Sequence, residues 1–408
     1  MRISPKIAWA LYDFANSAFA TTVMAGFFPL FFKQYWHGGD AAESTFQLGM
    51  ANAAASGLIL IIAPLIGAIA DLGRFHKIFL GVFASTGILA TLLLAPLGPG
   101  MALPALFLYG LSLLGFSGAN LFYDSLLVQV ANENEYEKVS SLGYGLGYLG
   151  GGLLFSLNVW MAIDPGLFGL SRPEDAIRLA FASVAVWWLI FSLPLFYRVR
   201  ETGQLRLEPR LIIQGWRQVI QTVGHIRRHR PAFMFLIAYW FYIDGVDTIV
   251  RMATDYGMAI GLEWQDLIKA LLLVQFIGFP AAIAFGWIGV KIGTRRAIFL
   301  GLLVYVGVTI FAARLDSALE FYLLAATIGL VQGGIQALSR AYYAHLIPHE
   351  YAAEFFGFYN MLGKFAAVIG PFLVGITSLW FHDPRAGILS VLLLFLIGAV
   401  LLLKVPVR

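Results

Sequence analysis

The sequence predicts an all-α polytopic membrane protein, with twelve transmembrane helices in two pseudo-symmetric six-helix bundles. Three observations predict it. Of the 408 residues, 60% are hydrophobic and only 12% are charged, about half the charge of a soluble domain. Windows of about twenty apolar residues recur along the whole chain, each long enough to cross the hydrocarbon layer as a helix. The polar residues inside those windows repeat between the two halves of the chain.

The first window, Ile7–Phe32, contains Asp13 and Asn16 and is too long for the apolar core of a cleaved signal peptide. The next five are Phe46–Ala70, Ile78–Leu97, Ala102–Val130, Val139–Ile163 and Ala176–Tyr197. The second six are Ala232–Gly257, Asp266–Val290, Ala297–Ala313, Ala318–Ala344, Glu354–Phe381 and Ala386–Val405. The chain therefore divides into a first bundle over residues 1–197, a basic linker over 198–231 and a second bundle over 232–408. In the linker, Ile212, Trp216, Val219, Ile220, Val223 and Ile226 form a helical apolar stripe, with Arg217, Arg227 and Arg228 close by. That pattern suits a short helix lying on the membrane surface against anionic headgroups; a solvated basic linker is the alternative.

Most of the 27 lysines and arginines fall on the side of the bundle that carries both termini. By the positive-inside rule this places both termini in the cytoplasm. Compact loops and the absence of an Asn-x-Ser/Thr acceptor suit a bacterial cytoplasmic membrane. The net charge of +4 resides mostly in loops and points to no nucleic-acid partner; the lack of cysteine excludes disulfides and thiolate metal sites.

Between residues 233 and 260 an otherwise apolar helix carries Asp244, Asp247, Arg251 and Asp255 on one face. Ionisable groups at bilayer depth cost about 2.5–3.5 kcal/mol each, so such a stripe normally faces a polar cavity or a partner. It repeats a pattern 231 residues earlier: Trp240 maps onto Trp9, Asp244 onto Asp13, Asp247 onto Asn16 and Thr248 onto Ser17. A second correspondence, at a spacing of 216, joins Asn120 to Gln336, Asp124 to Arg340, Gly147 to Gly363 and Tyr148 to Lys364. A third relates the turn after each half's second helix, Gly67–Asp71 before Arg74, His76 and Lys77, and Gly286–Val290 before Lys291, Arg295 and Arg296. Repeats of this kind mark transporter folds.

That third motif resembles the loop between the second and third helices of the major facilitator superfamily, although it is one residue tight and its second copy has Val290 in place of aspartate. A narrower resemblance is carried by Trp9–Ala20 (WALYDFANSAFA), Val139–Gly151 (VSSLGYGLGYLGG), Gly333–Pro348 (GGIQALSRAYYAHLIP) and Glu354–Pro371 (EFFGFYNMLGKFAAVIGP), which are similar to the vacuole-effluxer family of that superfamily. Its best-known members are implicated in autophagy and amino-acid release. The resemblance implies that the first helix of each half lines a central cavity. It also implies that the loop residues Asp71, Arg74 and Lys77, with Arg295 and Arg296 in the second copy, lock the halves together, less symmetrically where Val290 replaces aspartate.

On that framework Asp13 and Asn16, with Asp244 and Asp247, are candidates to bind a cationic group or a proton. Asp247 and Arg251, four residues apart, can instead neutralise one another, and Asp255 reads as a rim charge. Gln332, Gln336 and Ser339 share one helix face, Asn360 and Lys364 another, and with Asn120 they suit a substrate carboxylate; interhelical hydrogen bonding and snorkelling of Lys364 are the alternatives. Asp124 and Arg340, opposite in charge at equivalent positions, suit an ion-pair gate that is partly solvated and only marginally stable, or are two unrelated helix-end charges. The glycines from Gly143 to Gly152 suit close helix approach. The pairs His225/His229 and His345/His349 lack the glutamate of a zinc protease motif, and no nucleotide-binding loop or nucleophile elbow is present, so no metal, cofactor or enzymatic activity is expected.

The expected function is secondary active transport of a small solute, an amino acid or related zwitterion, by alternating access with proton coupling. The expected partners are that solute, protons and membrane lipids. A non-transporting or lipid-handling membrane protein on the same fold is the competing class.

Overall fold

A computed structural model describes residues 3–38, 41–201, 210–224, 229–259, 262–315 and 317–406; within these, the side chains at 41, 42, 45, 60, 251, 252, 254–256, 258, 259, 264, 265, 364–368 and 384 lie outside the description. The described residues form helices and short connections, without strands. The first set is α1 (Pro5–His37), α2 (Ala41–Gly73), α3 (His76–Leu94), α4 (Ala102–Val130), α5 (Tyr136–Ile163) and α6 (Pro173–Arg198). The linker helix is α7 (Leu211–Gly224). The second set is α8 (Arg230–Ala259), α9 (Trp264–Ile292), α10 (Thr294–Ala312), α11 (Ala318–Leu346), α12 (Ala352–Phe381) and α13 (Arg385–Leu403).

Eleven of these are long and apolar enough, among the described residues, to cross a bilayer. The twelfth place is taken by α12, whose far half, Ile369–Phe381, is apolar. Large side chains such as Leu103, Phe107, Leu303 and Trp380 stand exposed around the outside. In a helical bundle with its backbone bonds satisfied internally, such a wall belongs in lipid.

Local chemistry sets the helix ends. Ser4 caps α1 ahead of Pro5, and Ser317 with Glu320 forms a reciprocal capping box at α11. The turn between α2 and α3 is so short that Arg74 takes a left-handed conformation (φ 60°), while the Phe75 N–H bonds back to the Ala70 carbonyl. Beyond Ala18, α1 widens into π-helical turns over Phe19–Phe27 and Phe32–His37, a distortion that often accompanies functional sites.

Across the halves, α5 packs on α9 and α11, and α12 packs on α2 and α4. Glycines permit the approach. A Cβ at Gly145 of α5 would lie 2.9 Å from Ile283 and 3.1 Å from the Phe279 carbonyl of α9, whereas one at Gly143 would lie 2.6 Å from the Asp13 carboxylate of α1. One glycine-rich helix is thus closely wedged on both sides.

Candidate functional site

Between the halves lies a cavity of about 380 Å³ lined by both. The first half contributes Asp13, Asn16 and Ser17 from α1, Asn120, Tyr123 and Asp124 from α4, and Tyr144 and Tyr148 from α5; the second adds Tyr239 and Asp247 from α8, Gln275 from α9, Gln336 and Arg340 from α11, and Tyr359 and Asn360 from α12. Asp13, Asn16, Asn120, Asp124, Asp247, Gln336, Arg340 and Asn360, all singled out from the sequence, therefore share one chamber.

At the end of the cavity nearer the termini sits Arg340, its side chain only 2% exposed. Its Nη1 donates to Asp124 Oδ1 at 2.9 Å, its Nη2 to Asp13 Oδ2 at 3.3 Å and to the Ser140 carbonyl at 3.0 Å, and its Nε to Ser140 Oγ at 2.9 Å. The guanidinium carbon lies 4.4 Å from the ring centre of Tyr144, 4.8 Å from that of Trp9 and 5.3 Å from that of Tyr123. Planar charge over aromatic faces adds to the attraction of the two carboxylates. Those carboxylates are themselves held: Tyr123 Oη donates to Asp13 at 2.7 Å, and Asn360 Nδ2 donates to Asp124 at 3.1 Å. Arg340 thereby joins α11 of the second half to α1, α4 and α5 of the first. The Asp124–Arg340 pair foreseen from the repeat is made, but it is buried and shared with Asp13 rather than partly solvated.

Asn16 and Asn120 meet at 2.5 Å within the first half, and both line the cavity. Asp244 lies elsewhere. It is fully buried on α8, accepting from the Gly370 N–H of α12 at 3.0 and 3.1 Å and from Thr248 at 3.4 Å, and it is not among the cavity-lining residues. Gln332 lines a separate, largely apolar pocket with Leu271, Phe321 and Ile328, and Ser339 pairs with the Tyr242 hydroxyl. The side chains of Arg251, Asp255 and Lys364 lie outside the described residues, as do His225, Arg227 and Arg228.

Two further polar clusters join the halves close to the termini. In one, Asp71 at the end of α2 accepts from the N–H groups of Ala353 (3.0 Å) and Glu354 (2.8 Å), acting as an N-cap for α12 supplied by the other half. His76 bridges Asp71 (3.0 Å) to Glu201 (2.6 Å) behind it. In the other, Glu137 at the start of α5 accepts from Thr294 of α10 at 2.5 Å and meets His345 of α11 at 2.9 Å, with Tyr136 and His349 paired alongside at 3.1 Å. Val290, the counterpart of Asp71, is 47% exposed. The carboxylate of the second cluster comes instead from the facing half. Lys77 donates to the Phe196 and Val199 carbonyls, capping α6 of its own half, and Arg295 donates to the Val405 carbonyl. Arg296 lines a separate cavity beside Arg295, Tyr342 and His345. Sequence reasoning missed Tyr123, Tyr144, Tyr239, Tyr359, Gln275, Ser140 and Glu137, and reached Tyr148 only as the repeat counterpart of Lys364; of those missed, only Glu137 carried a signal, as a carboxylate at the start of a membrane helix.

Residues 42–408 match the family described as vacuole effluxer Atg22 like. The chain is 37% identical to the uncharacterized MFS-type transporter YxiO of Bacillus subtilis (strain 168), over 98% of this chain and 94% of that one. It is 25% identical to autophagy-related protein 22 of Yarrowia lipolytica, matching 66% of this chain but spanning only 51% of that longer protein. The fold superposes on the crystal structure of the human organic anion transporter MFSD10 with a TM-score of 0.70 at 15% identity, covering 98% of this chain and 97% of that one. With its helical architecture and its cavity shared between halves, the chain belongs to the vacuole effluxer Atg22-like family of major facilitator transporters.

Proposed function

We propose that this transporter moves a small zwitterion such as an amino acid by alternating access, with Arg340 as the centre of a cytoplasmic gate. The observation that carries the reading is the position of Arg340, at the floor of the shared cavity and bonded to three helices of the opposite half. A gate of this kind must open without leaving a bare buried charge. A substrate carboxylate reaching Arg340 can take the place of Asp13, whose contact at 3.3 Å is the longer of the two carboxylate bonds. A proton arriving on Asp13 as it is released leaves no unpaired carboxylate buried beside the cavity. Asp247 and the tyrosine faces offer sites for the substrate's ammonium group, and the amides of Asn16, Asn120, Gln275, Gln336 and Asn360 complete a polar lining.

The test is uptake of a panel of amino acids, organic anions and sugars into liposomes containing the purified chain, with and without a pH gradient. Uptake of a zwitterion accelerated by the gradient, and lost in Asp13→Asn, is the expected result. Transport that ignores both the gradient and Asp13→Asn would remove the coupling step. If Arg340→Gln transports as well as the parent, the gate is wrong.

A further inference from the structure

The linker helix α7 has two faces of opposite use. One is docked: Gly215 seats against α2, where an added Cβ would lie 2.8 Å from Ile69, and Gln218 donates to Glu354 of α12 at 2.6 Å. Glu354 is fully buried, and its own N–H is one of the two that Asp71 caps. So α7 grips the same α2–α12 junction that Asp71 closes. The other face is apolar and uncovered: Ile212, Ile213, Trp216, Ile220 and Val223 are 49–67% exposed.

Position identifies what covers that face. The α7 helix contacts the end of α2 at Leu65 and Ile69, where the lipid-facing wall of α2, with Leu58 and Ile61 exposed, meets the face bearing the termini. Its chain neighbours are the ends of two membrane helices, α6 at Arg198 and α8 at Arg230, which hold it at the bilayer boundary. Arg217 on α7, Arg210 just before it, and Arg198, Arg200 and Arg230 at the ends of the flanking segments are exposed. An exposed apolar stripe on a helix docked at the end of a lipid-facing membrane helix, with exposed arginines on it and on the chain to either side, matches the boundary between acyl chains and anionic headgroups. We propose that α7 is a membrane-seated clamp whose partner is the anionic headgroup layer, and that lipid binding to it holds α2 against α12. The clamp concerns lipid and not substrate, so it stands or falls separately from the transport reading.

The chain contains no cysteine, so a nitroxide can be placed at Ile220→Cys alone in the full-length protein. In vesicles of phosphatidylcholine with phosphatidylglycerol, the label should collide readily with oxygen and poorly with a polar reagent, and sit less deeply in phosphatidylcholine alone. A label equally open to the polar reagent in both vesicles overturns the lipid contact. For the clamp itself, a second label pair across the near ends of α2 and α12 should give one short distance in anionic vesicles. That distance should lengthen or broaden in Ile212→Ser/Ile220→Ser and in Gln218→Ala. Distances unchanged in both variants, with the first label seated in lipid, overturn the clamp.

Discussion

Two junctions close the same end of this transporter, and they are built from different chemistry. Where α2 meets α12, a carboxylate grips backbone: Asp71 caps the N–H groups of Ala353 and Glu354. Where α5 meets α10 and α11, a carboxylate grips side chains: Glu137 holds Thr294 and His345. The repeat places the junctions equivalently, yet the acidic group comes from a second helix in one and from a fifth helix in the other. What the comparison teaches is that the two-fold symmetry fixes where the halves touch, while each contact's chemistry has diverged. A junction made to backbone depends on the helix being wound, and one made to a threonine and a histidine depends on side-chain rotamers.

The largest effect is expected at Arg340, which belongs to neither junction but bonds Asp13, Asp124 and Ser140 across the halves. Arg340→Met leaves Asp13 and Asp124 buried without their cation, a loss on the order of 3–5 kcal/mol. Transport should vanish and the unfolding temperature in detergent should drop; a variant that transports normally would remove the residue from the gate. Next is Asp71→Asn, which turns an amide N–H toward donors and discards the charge favoured at a helix N-terminus, costing about 1–2 kcal/mol. Spin labels across α2 and α12 should report a larger open fraction, while labels across α5 and α9 change little. Equal opening at both would merge the two junctions into one unit.

Glu137→Gln is expected to cost about 1 kcal/mol, since the amide can still accept from Thr294 but loses its charge toward His345. The α5–α9 distance should broaden, and His345→Gln should do the same; if neither variant moves it, that junction rests on packing alone. The smallest effect lies behind the first junction. Glu201 is drawn two ways: burial raises its carboxyl, but hydrogen bonding and charge from His76, with the His76 and Lys77 N–H groups, win and hold it below its ordinary value. A depressed carboxyl stabilises the fold fully above its unfolded value, and that contribution fades as the pH falls through the depressed one. Glu201→Gln should therefore unfold at a slightly lower temperature than the parent at neutral pH, by about 1 kcal/mol or less. The gap should close in acid, and a gap that widened there would reverse the assignment.

Much of this was legible in the chain. Window length and positional repeats located the helices, because membrane-spanning segments must be long and apolar whatever they contact. The spacing of 216 between Asp124 and Arg340 brought out a pair that the fold brings together. Asp13 was harder, since it is 327 residues from the arginine it meets and nothing local to it records that partner. Asp244 shows the limit of stripe reasoning. Periodicity says which residues share a face, but not whether a cavity or the close-packed Gly370 of a neighbouring helix lies opposite. The tyrosines were hidden because each reads as one more apolar residue in an apolar helix. Their shared wall exists only in three dimensions.

The cap on α12 has one more implication. When the halves part at this end, Asp71 withdraws and the N–H groups of Ala353 and Glu354 lose their acceptor. Opening then exposes an unfinished helix end, which must fray, find water or recruit another acceptor before the path is clear. Release of that cap would be visible as faster hydrogen exchange at Ala353 and Glu354. Opening at this end is then coupled to the solvation of a helix end as well as to the movement of the bundles.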